Sequence, residues 1–388
     1  MRVVSVGSYD RGFNRNILVD RLLAQMDDVE PLKIPATPLK GDRLELWAHH
    51  RAATVIRLVP ALIRLFSSTL IDSLRHPGTK YLVRYPGYFD VPVVRLAASV
   101  RGGSVIYDPF ISLYDTIVND RRLVSTRSWL ATAVKAVDAL ALRSANHVIS
   151  DTPQTGEYLA KLSGCRRDKF STVWIGADEQ TFFPPGPDDI HRARADLFAE
   201  VGLEPIESPF VVLYYGNYIP LHGIDQVIRA AALAHPRVRF IFVGDGQTLA
   251  ANRQLADELK LTNIYFLKRR SPEGIRQLIW GSDLLLGVFG SSEKARRVLP
   301  NKLMEGMACR QVVLTATTPA TVSSLDTILT TGTTASEIAN VINGLAVTRS
   351  LDHLRSRARA EYAEKFSEPV RRMQLHAVIT RVHARTKQ

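Results

Sequence analysis

The chain has 388 residues, 46% hydrophobic and 23% charged, with 23 glycines and 20 prolines. That balance fits a soluble globular protein of two domains and excludes a disordered, collagen-like or multi-span membrane chain. Lys and Arg number 50 against 38 Asp and Glu, a formal charge of +12; this suits an anionic partner without choosing among nucleotide, nucleic acid, sugar phosphate and anionic lipid.

Arg2–Gly7 reads as a short buried strand, and Asp10, Arg11 and Arg15 interrupt any signal core behind it, so no export signal is expected. Cys165 and Cys309 are too few for a disulfide framework or a zinc site and suit a reduced, cytoplasmic setting. Further apolar strands are predicted at Lys80–Tyr85, Ser104–Tyr107, Asn146–Ser150 and Phe170–Ile175. Helices are predicted at Asn16–Met26, Leu44–Leu74, Pro92–Val100, Ser128–Ser144 and Thr155–Leu162. This alternation predicts a doubly wound α/β domain over residues 1–180.

Within that domain Gly7 ends the first strand and Gly12, Arg15 and Asn16 open the next helix, an arrangement that serves equally as a ligand loop or a plain turn. Ala52–Lys80 reads as an amphipathic helix broken or kinked near Pro60, with Arg51, Arg57, Arg64 and Arg75 on its polar face. It suits core packing or contact with an anionic membrane, and Val55–Phe66 is too short and too charged to cross one. Asp108, before Pro109, is either an acid/base group or a turn former, with Asp115 as a second candidate. Asp151-Thr152-Pro153 reads as a helix cap.

The strand–helix pattern restarts beyond an irregular connection at Phe182–Asp189. Strands at Phe210–Tyr215, Arg239–Val243, Ile264–Leu267, Leu284–Val288 and Val312–Thr315 alternate with helices at Gly223–Ala234, Gln247–Leu259, Pro272–Trp280 and Asn301–Ala308. They predict a second Rossmann-like domain over residues 181–365, facing the first across a cleft. The charged residues 366–388 are expected to form a helical tail packing back toward the first domain.

Three turns of the second domain carry chemistry. Gly216 and Gly223 bracket a loop in which Asn217 and His222 can donate to a phosphate at a helix start. Gly244, in Val243-Gly244-Asp245-Gly246, permits close approach of a base or phosphate, or simply makes a tight turn. The basic stretch with Lys294, Arg296 and Arg297 runs into Pro300-Asn301-Lys302, and Glu305 lies one turn beyond Lys302. There a carboxylate accepts hydrogen bonds from two ribose hydroxyls while Asn301, the cations and the helix start offset a diphosphate.

Together with Gly176-Ala177-Asp178…Phe183-Pro184 and Ser271–Asp283, these segments resemble GT-B glycosyltransferases of family 4, the glycosyl transferases group 1, in a bacterial-type branch. The resemblance covers about Val173 to Thr318 and reaches the N-terminal half in outline. It implies a retaining, hexosyltransferase-like transfer from a nucleotide diphosphate sugar to a sugar, lipid-linked or small-molecule acceptor, in cell-surface glycan, glycolipid or secondary-metabolite synthesis. It implies no other cofactor and agrees with the lack of metal spacing among the ten histidines and of an Asp-x-Asp pair; no aromatic-flanked basic run or binding module points to nucleic acid, and a cytoplasmic location or a peripheral one on the inner membrane face is expected. Glu305 becomes the second glutamate of the family's pair, Gly216 and Gly7 approach the donor, and His222 takes the phosphate-side role of a basic residue. Asp108 stands near a family histidine, and the first glutamate's place holds Arg297. That departure keeps a non-catalytic nucleotide-sugar-binding subunit open, and the fold also suits a nucleotide-sugar epimerase.

Overall fold

The computed structural model describes residues 1–9, 12–35, 51–120, 123–203 and 209–385, and of residues 35, 51–57, 120 and 383–385 the backbone alone. Asp10, Arg11, the first residues of the Leu44–Leu74 helix and the side chains of Arg51 and Arg57 therefore lie outside the described parts. The chain divides into two compact units, Met1–Trp174 with Glu368–Gln388, and Ile175–Ser367. The boundary falls at Trp174, earlier than 180, and the tail from Glu368 belongs to the first unit.

In the first unit, β1 (Arg2–Gly7), β2 (Glu30–Pro35), β3 (Lys80–Arg84), β4 (Ser104–Asp108), β5 (His147–Ser150) and β6 (Phe170–Thr172) form a parallel sheet of order β2-β1-β3-β4-β5-β6. Alternate side chains feed two cores, as a sheet covered on both faces requires. Val4, Val6, Tyr81, Val83 and Val105 pack on one side; Val3, Leu82, Ile106 and Ile149 pack on the other, with Leu375 and Ile379 of the tail. The helices are α1 (Asn14–Ala24), α2 (Arg51–Arg75), α3 (Asp90–Ser99), α4 (Trp129–Ser144) and α5 (Pro153–Ser163). Local signals set their ends. Ser128 accepts from the Ala131 amide at 3.1 Å, and Thr152 caps α5 at 3.0 Å ahead of Pro153, as N-cap chemistry favours. The helix α2 runs through Pro60 without ending.

The second unit repeats the architecture with β7 (Phe210–Asn217), β8 (Val238–Asp245), β9 (Ile264–Leu267), β10 (Leu284–Leu286), β11 (Val313–Ala316) and β12 (Leu329–Thr331), all parallel, in the order β12-β11-β10-β7-β8-β9. Its helices are α6 (Pro187–Val201), α7 (Ile224–Ala231), α8 (Leu249–Glu258), α9 (Pro272–Gly281), α10 (Asn301–Ala308), α11 (Pro319–Ser324), α12 (Ala335–Ala346) and α13 (Asp352–Lys365); α14 (Glu368–Arg385) is the tail of the first unit. The expected irregular connection becomes helical from Pro187, because proline suits a first turn and Asp189 accepts from the Gly186 amide at 3.0 Å. Both sheets reverse their direction of growth beside their first strand: between β1 and β3, and between β7 and β10. Ligands of open parallel sheets bind outside the strand carboxyl ends at such switch points.

Candidate functional site

At the β7/β10 switch point three backbones come very close. Gly223, at φ 61, heads α7, and a Cβ on it would lie 2.6 Å from the Phe289 carbonyl carbon. A Cβ on Gly290 would lie 2.1 Å from the Leu221 carbonyl oxygen, and one on Gly244 would lie 2.1 Å from that of Gly216. Gly223 has the αL geometry that glycine adopts without penalty. The glycines thus press the loops after β7, β8 and β10 together. Neither α7 nor α10 has a side-chain cap; the Gln226 and Leu303 amides bond the Gly223 and Pro300 carbonyls, Asp225 lies in the first turn of α7, and the first turn of α10 carries no acidic residue, so α10 above all presents a positive dipole end.

Lys302, in the first turn of α10, is buried and its Nζ has no hydrogen-bond partner. It stands 4.1 Å from the centroid of the Tyr214 ring, and a Cβ on Gly216 would be 3.3 Å from it. Burial pushes its ammonium down to about 7, against the attraction of Glu305. Cation–π contact recovers part of the hydration lost, yet a buried cation without a hydrogen-bonded counter-ion remains costly. Glu305 is buried on the same helix and accepts from the Tyr215 hydroxyl. Desolvation raises its pKa, opposed by Tyr215 and Lys302.

The site brings together Gly216, Gly223, Gly244, Lys302 and Glu305 around the ends of β7, β8 and α10. His222 is tied to Tyr214: its Nδ1 lies 2.6 Å from that hydroxyl, which also donates to the Asn217 carbonyl oxygen at 3.1 Å. Burial, then Lys302, depresses the imidazole well below its ordinary pKa, so it supplies a neutral hydrogen-bonding group and no charge. Asn217 is exposed, Asn301 is partly buried as the first residue of α10, Arg296 is exposed and Arg297 is partly buried in the turns before α10. Glu293, the carboxylate nearest the place of a first glutamate, is exposed.

In the first unit the turns are closed from within. The Ser8 amide after Gly7 donates to Asp90 Oδ2 at 2.6 Å, and a Cβ on Gly7 would lie 2.8 Å from that oxygen. The chain's own carboxylate therefore sits where this loop was expected to meet a donor. Asp108 is buried and accepts from Arg15 Nε at 2.8 Å, while Arg15 Nη1 donates to the Val173 and Trp174 carbonyls at 3.1 Å. Asp115 opens a π-helical turn and accepts from Asn119 at 3.0 Å. Sequence reasoning missed Asp90, which lies 82 residues from its partner, and the roles of Tyr214 and Tyr215. Two adjacent tyrosines closing the apolar run Phe210–Leu213 immediately before Gly216 were the available signal.

Residues 200–328 match the model of the family Glycosyl transferases group 1, which spans the segments from Gly216 to Ala308 on which the resemblance chiefly rests. The chain is 30% identical over 155 residues to D-inositol 3-phosphate glycosyltransferase of Nocardia farcinica, covering 37% of this chain and 32% of that one. A second enzyme of that description, from Xylanimonas cellulosilytica, is 33% identical over 97 residues, 25% of this chain and 22% of that one. The chain thus spans about a third or less of the curated relatives it matches. Among solved structures, Anabaena HepE in complex with UDP superimposes with a TM-score of 0.69 at 19% identity, over 98% of this chain and 99% of that one. Sucrose-phosphate synthase from Thermosynechococcus elongatus gives 0.65 at 16%, over 99% and 98%. The fold is GT-B: two Rossmann-like units of parallel sheet and helices.

Proposed function

We propose that this GT-B chain, with its glycosyl transferases group 1 region, is a retaining, hexosyltransferase-like enzyme that moves a sugar from a nucleotide diphosphate sugar to an acceptor hydroxyl. The observation that carries the reading is Lys302, a buried ammonium without a hydrogen-bond partner beside Gly216 and two uncapped helix starts. Such a group is stabilised by a bound anion, and a diphosphate offers oxygens enough for the ammonium and both sets of amides. The pairing of HepE with UDP and UDP-glucose agrees with that donor class.

In this reading the second unit holds the donor. Glu305, already held by Tyr215 at Oε2, accepts from the ribose hydroxyls. His222 packs beside the diphosphate as a neutral imidazole held through Nδ1 by Tyr214, and Asn301 and the nearby arginines complete the diphosphate's surroundings. Charge developing on the departing diphosphate is stabilised by groups already oriented toward it; the acceptor hydroxyl attacks on the face the diphosphate leaves as the bond from the anomeric carbon to the diphosphate breaks, and its proton passes to a departing diphosphate oxygen. The first unit presents the acceptor. The ion pair with Arg15 supports a positioning role for Asp108, fixing the turn after β4.

Glu305→Ala is expected to weaken binding of a nucleoside diphosphate by about 100-fold or more in calorimetry, since removing a charged acceptor costs about 3 kcal/mol; unchanged affinity rejects the site. Free nucleotide should be released from a cognate nucleotide sugar only when acceptor is added. Conversion of the donor to an isomer without acceptor would establish an epimerase instead.

One surface favours a peripheral location as well. Val59, Ile63, Ile71 and Leu74 of α2 are about half exposed or more, beside exposed Arg64 and Arg75. Among the described residues no helix is long and apolar enough to cross a membrane, whereas an apolar strip edged by arginine suits the surface of an anionic bilayer. Flotation with phosphatidylglycerol vesicles that survives neither high salt nor Ile63→Glu is the expected result; no flotation at low salt removes this contact.

A further inference from the structure

At the β1/β3 switch point of the first unit three aromatic side chains meet, and the donor reading uses none of them. Phe13 follows β1, Tyr85 follows β3 and Phe110 follows β4. Their ring centroids lie 4.6 Å (Phe13–Tyr85), 5.5 Å (Phe13–Phe110) and 6.2 Å (Tyr85–Phe110) apart. All three remain partly exposed, whereas the strand tyrosines Tyr81 and Tyr107 are fully buried. Tyr85 rests on the core beneath, against buried Tyr88, and the three rings together form a partly open surface at the strand carboxyl ends, where open parallel sheets bind ligands.

The backbone beneath them is fixed. Asn16 Nδ2 donates to the Tyr85 carbonyl at 2.9 Å, Arg15 holds Asp108 at 2.8 Å, and the Tyr88 hydroxyl donates to the Ile111 carbonyl at 2.7 Å. Phe110 itself stands at φ 53. A bulky residue in the left-handed region costs about 1–3 kcal/mol and persists only where its surroundings over-determine it. A strained ring presented at a switch point has the marks of a binding group.

We propose that Phe13, Tyr85 and Phe110 are a stacking platform for the acceptor, and that the acceptor carries a neutral pyranose ring there. The inference rests on the transferase reading and adds the class of acceptor. The negative face of an aromatic ring attracts the polarised C–H bonds that a pyranose presents on one side. Nothing in the platform itself calls for an anion: its three rings carry no charge, and among the described residues of the loop after β1 the Ser8 amide is already bonded to Asp90, whose carboxylate repels a like charge.

Saturation-transfer NMR on the full chain tests this with methyl α-D-glucopyranoside, methyl β-D-galactopyranoside, methyl N-acetylglucosaminide and inositol 3-phosphate as probes, with UDP affinity measured in parallel by calorimetry. At least one neutral pyranoside is expected to receive saturation on its ring C–H protons. That signal should fall about tenfold in Phe110→Leu and Tyr85→Leu, and also in Phe110→Gly, which removes the ring while relieving the backbone. UDP affinity should not move. Equal signals in the variants, no signal from any neutral pyranoside on folded protein, or a signal from inositol 3-phosphate alone overturns the platform. Failure to bind UDP removes the donor reading instead, and leaves the platform to be judged on the pyranoside signal.

Discussion

Each sheet reverses direction beside its first strand, and a glycine stands at the end of that strand or one residue before it: Gly7 ends β1, and Gly216 precedes Asn217, the last residue of β7. In the first turn Asp90 enters from α3 and takes the Ser8 amide at 2.6 Å. In the second turn Lys302 enters from α10 and lies against the Tyr214 ring, its Nζ without a hydrogen-bond partner. Two motifs of similar shape thus carry opposite charges, one a carboxylate bonded to the turn's own amide and the other a buried ammonium without a hydrogen-bonded counter-ion. Strand–glycine–helix is a geometry, and whether it becomes a site depends on the side chain that a distant helix delivers to it.

The contrast is broken most directly by exchanging what the helices deliver. Lys302→Met should lower affinity for a nucleoside diphosphate by about 100-fold, because a charge-assisted contact to phosphate is worth about 3 kcal/mol. The same change should raise the thermal midpoint, since it removes a buried, unpaired cation. Asp90→Ala should do the reverse: lower stability by about 2 kcal/mol through the lost acceptor for Ser8, with diphosphate affinity intact. Calorimetry and thermal melts on the two variants read both signs, and parallel behaviour of the pair would dissolve the distinction.

A smaller effect is expected from the glycines. A Cβ on Gly223 meets the Phe289 backbone at 2.6 Å, while one on Gly216 meets side chains alone, the flexible end of Lys302 at 3.3 Å, the Tyr214 hydroxyl at 3.5 Å and His222 Cε1 at 3.6 Å. Both have positive φ, 61 and 142, so alanine is strained at either. Gly223→Ala should lose about 2 kcal/mol or more in denaturant unfolding as the β7 and β10 loops separate. Gly216→Ala should lose less and show itself chiefly as weaker diphosphate binding.

The fold was legible because burial on both faces of a parallel sheet leaves near-continuous apolar strands, as in Phe210–Tyr215 and Leu284–Leu286. β2 escaped because Glu30-Pro31-Leu32-Lys33-Ile34-Pro35 is an edge strand with prolines and a lysine. The segment from Pro319 to Ala346 escaped because its threonines cap helices and also fill strands: Thr318 and Thr334 start α11 and α12, and Thr331 ends β12. In the site, Lys302 and Glu305 were readable from helical spacing. Neither the burial of Lys302 nor the tyrosines beneath it could be read that way, since both follow from packing between β7 and α10. Phe13, Tyr85 and Phe110 are scattered over nearly a hundred positions and become one feature only through the β2-β1-β3-β4 order.

Donor binding gives a finer reading of the open turn. With its ammonium pushed down to about 7, Lys302 is mostly neutral at pH 8 in the free protein, and an adjacent diphosphate favours the charged form. Binding of UDP should therefore take up close to one proton at pH 8 and almost none at pH 6. Calorimetry in two buffers of different ionisation enthalpy measures this number, and Lys302→Met should abolish it. Uptake that persists in the variant assigns the proton elsewhere.

The smallest effect, and the one that compares the units by pH alone, concerns Asp138 of α4. It accepts from the Ser112 hydroxyl at 2.6 Å and from the Tyr114 amide at 2.8 Å, holding the turn after β4. Burial nevertheless pushes its carboxyl up to about 6, against those hydrogen bonds. The folded form then binds the proton more tightly than the unfolded one between about pH 4 and 6, so this group's contribution to stability falls as pH rises through that window. Lys302 has the opposite slope: its folded pKa lies below the ordinary 10.5, the unfolded chain holds more protons between about pH 7 and 10, and stability rises with pH there. Asp138→Asn should flatten the first limb and leave the second, while Lys302→Met should do the converse. Unfolding measured across both windows on the two variants separates a carboxylate buried to hold a turn from a cation buried to wait for a ligand, because only the second limb should vanish when UDP is present at saturation.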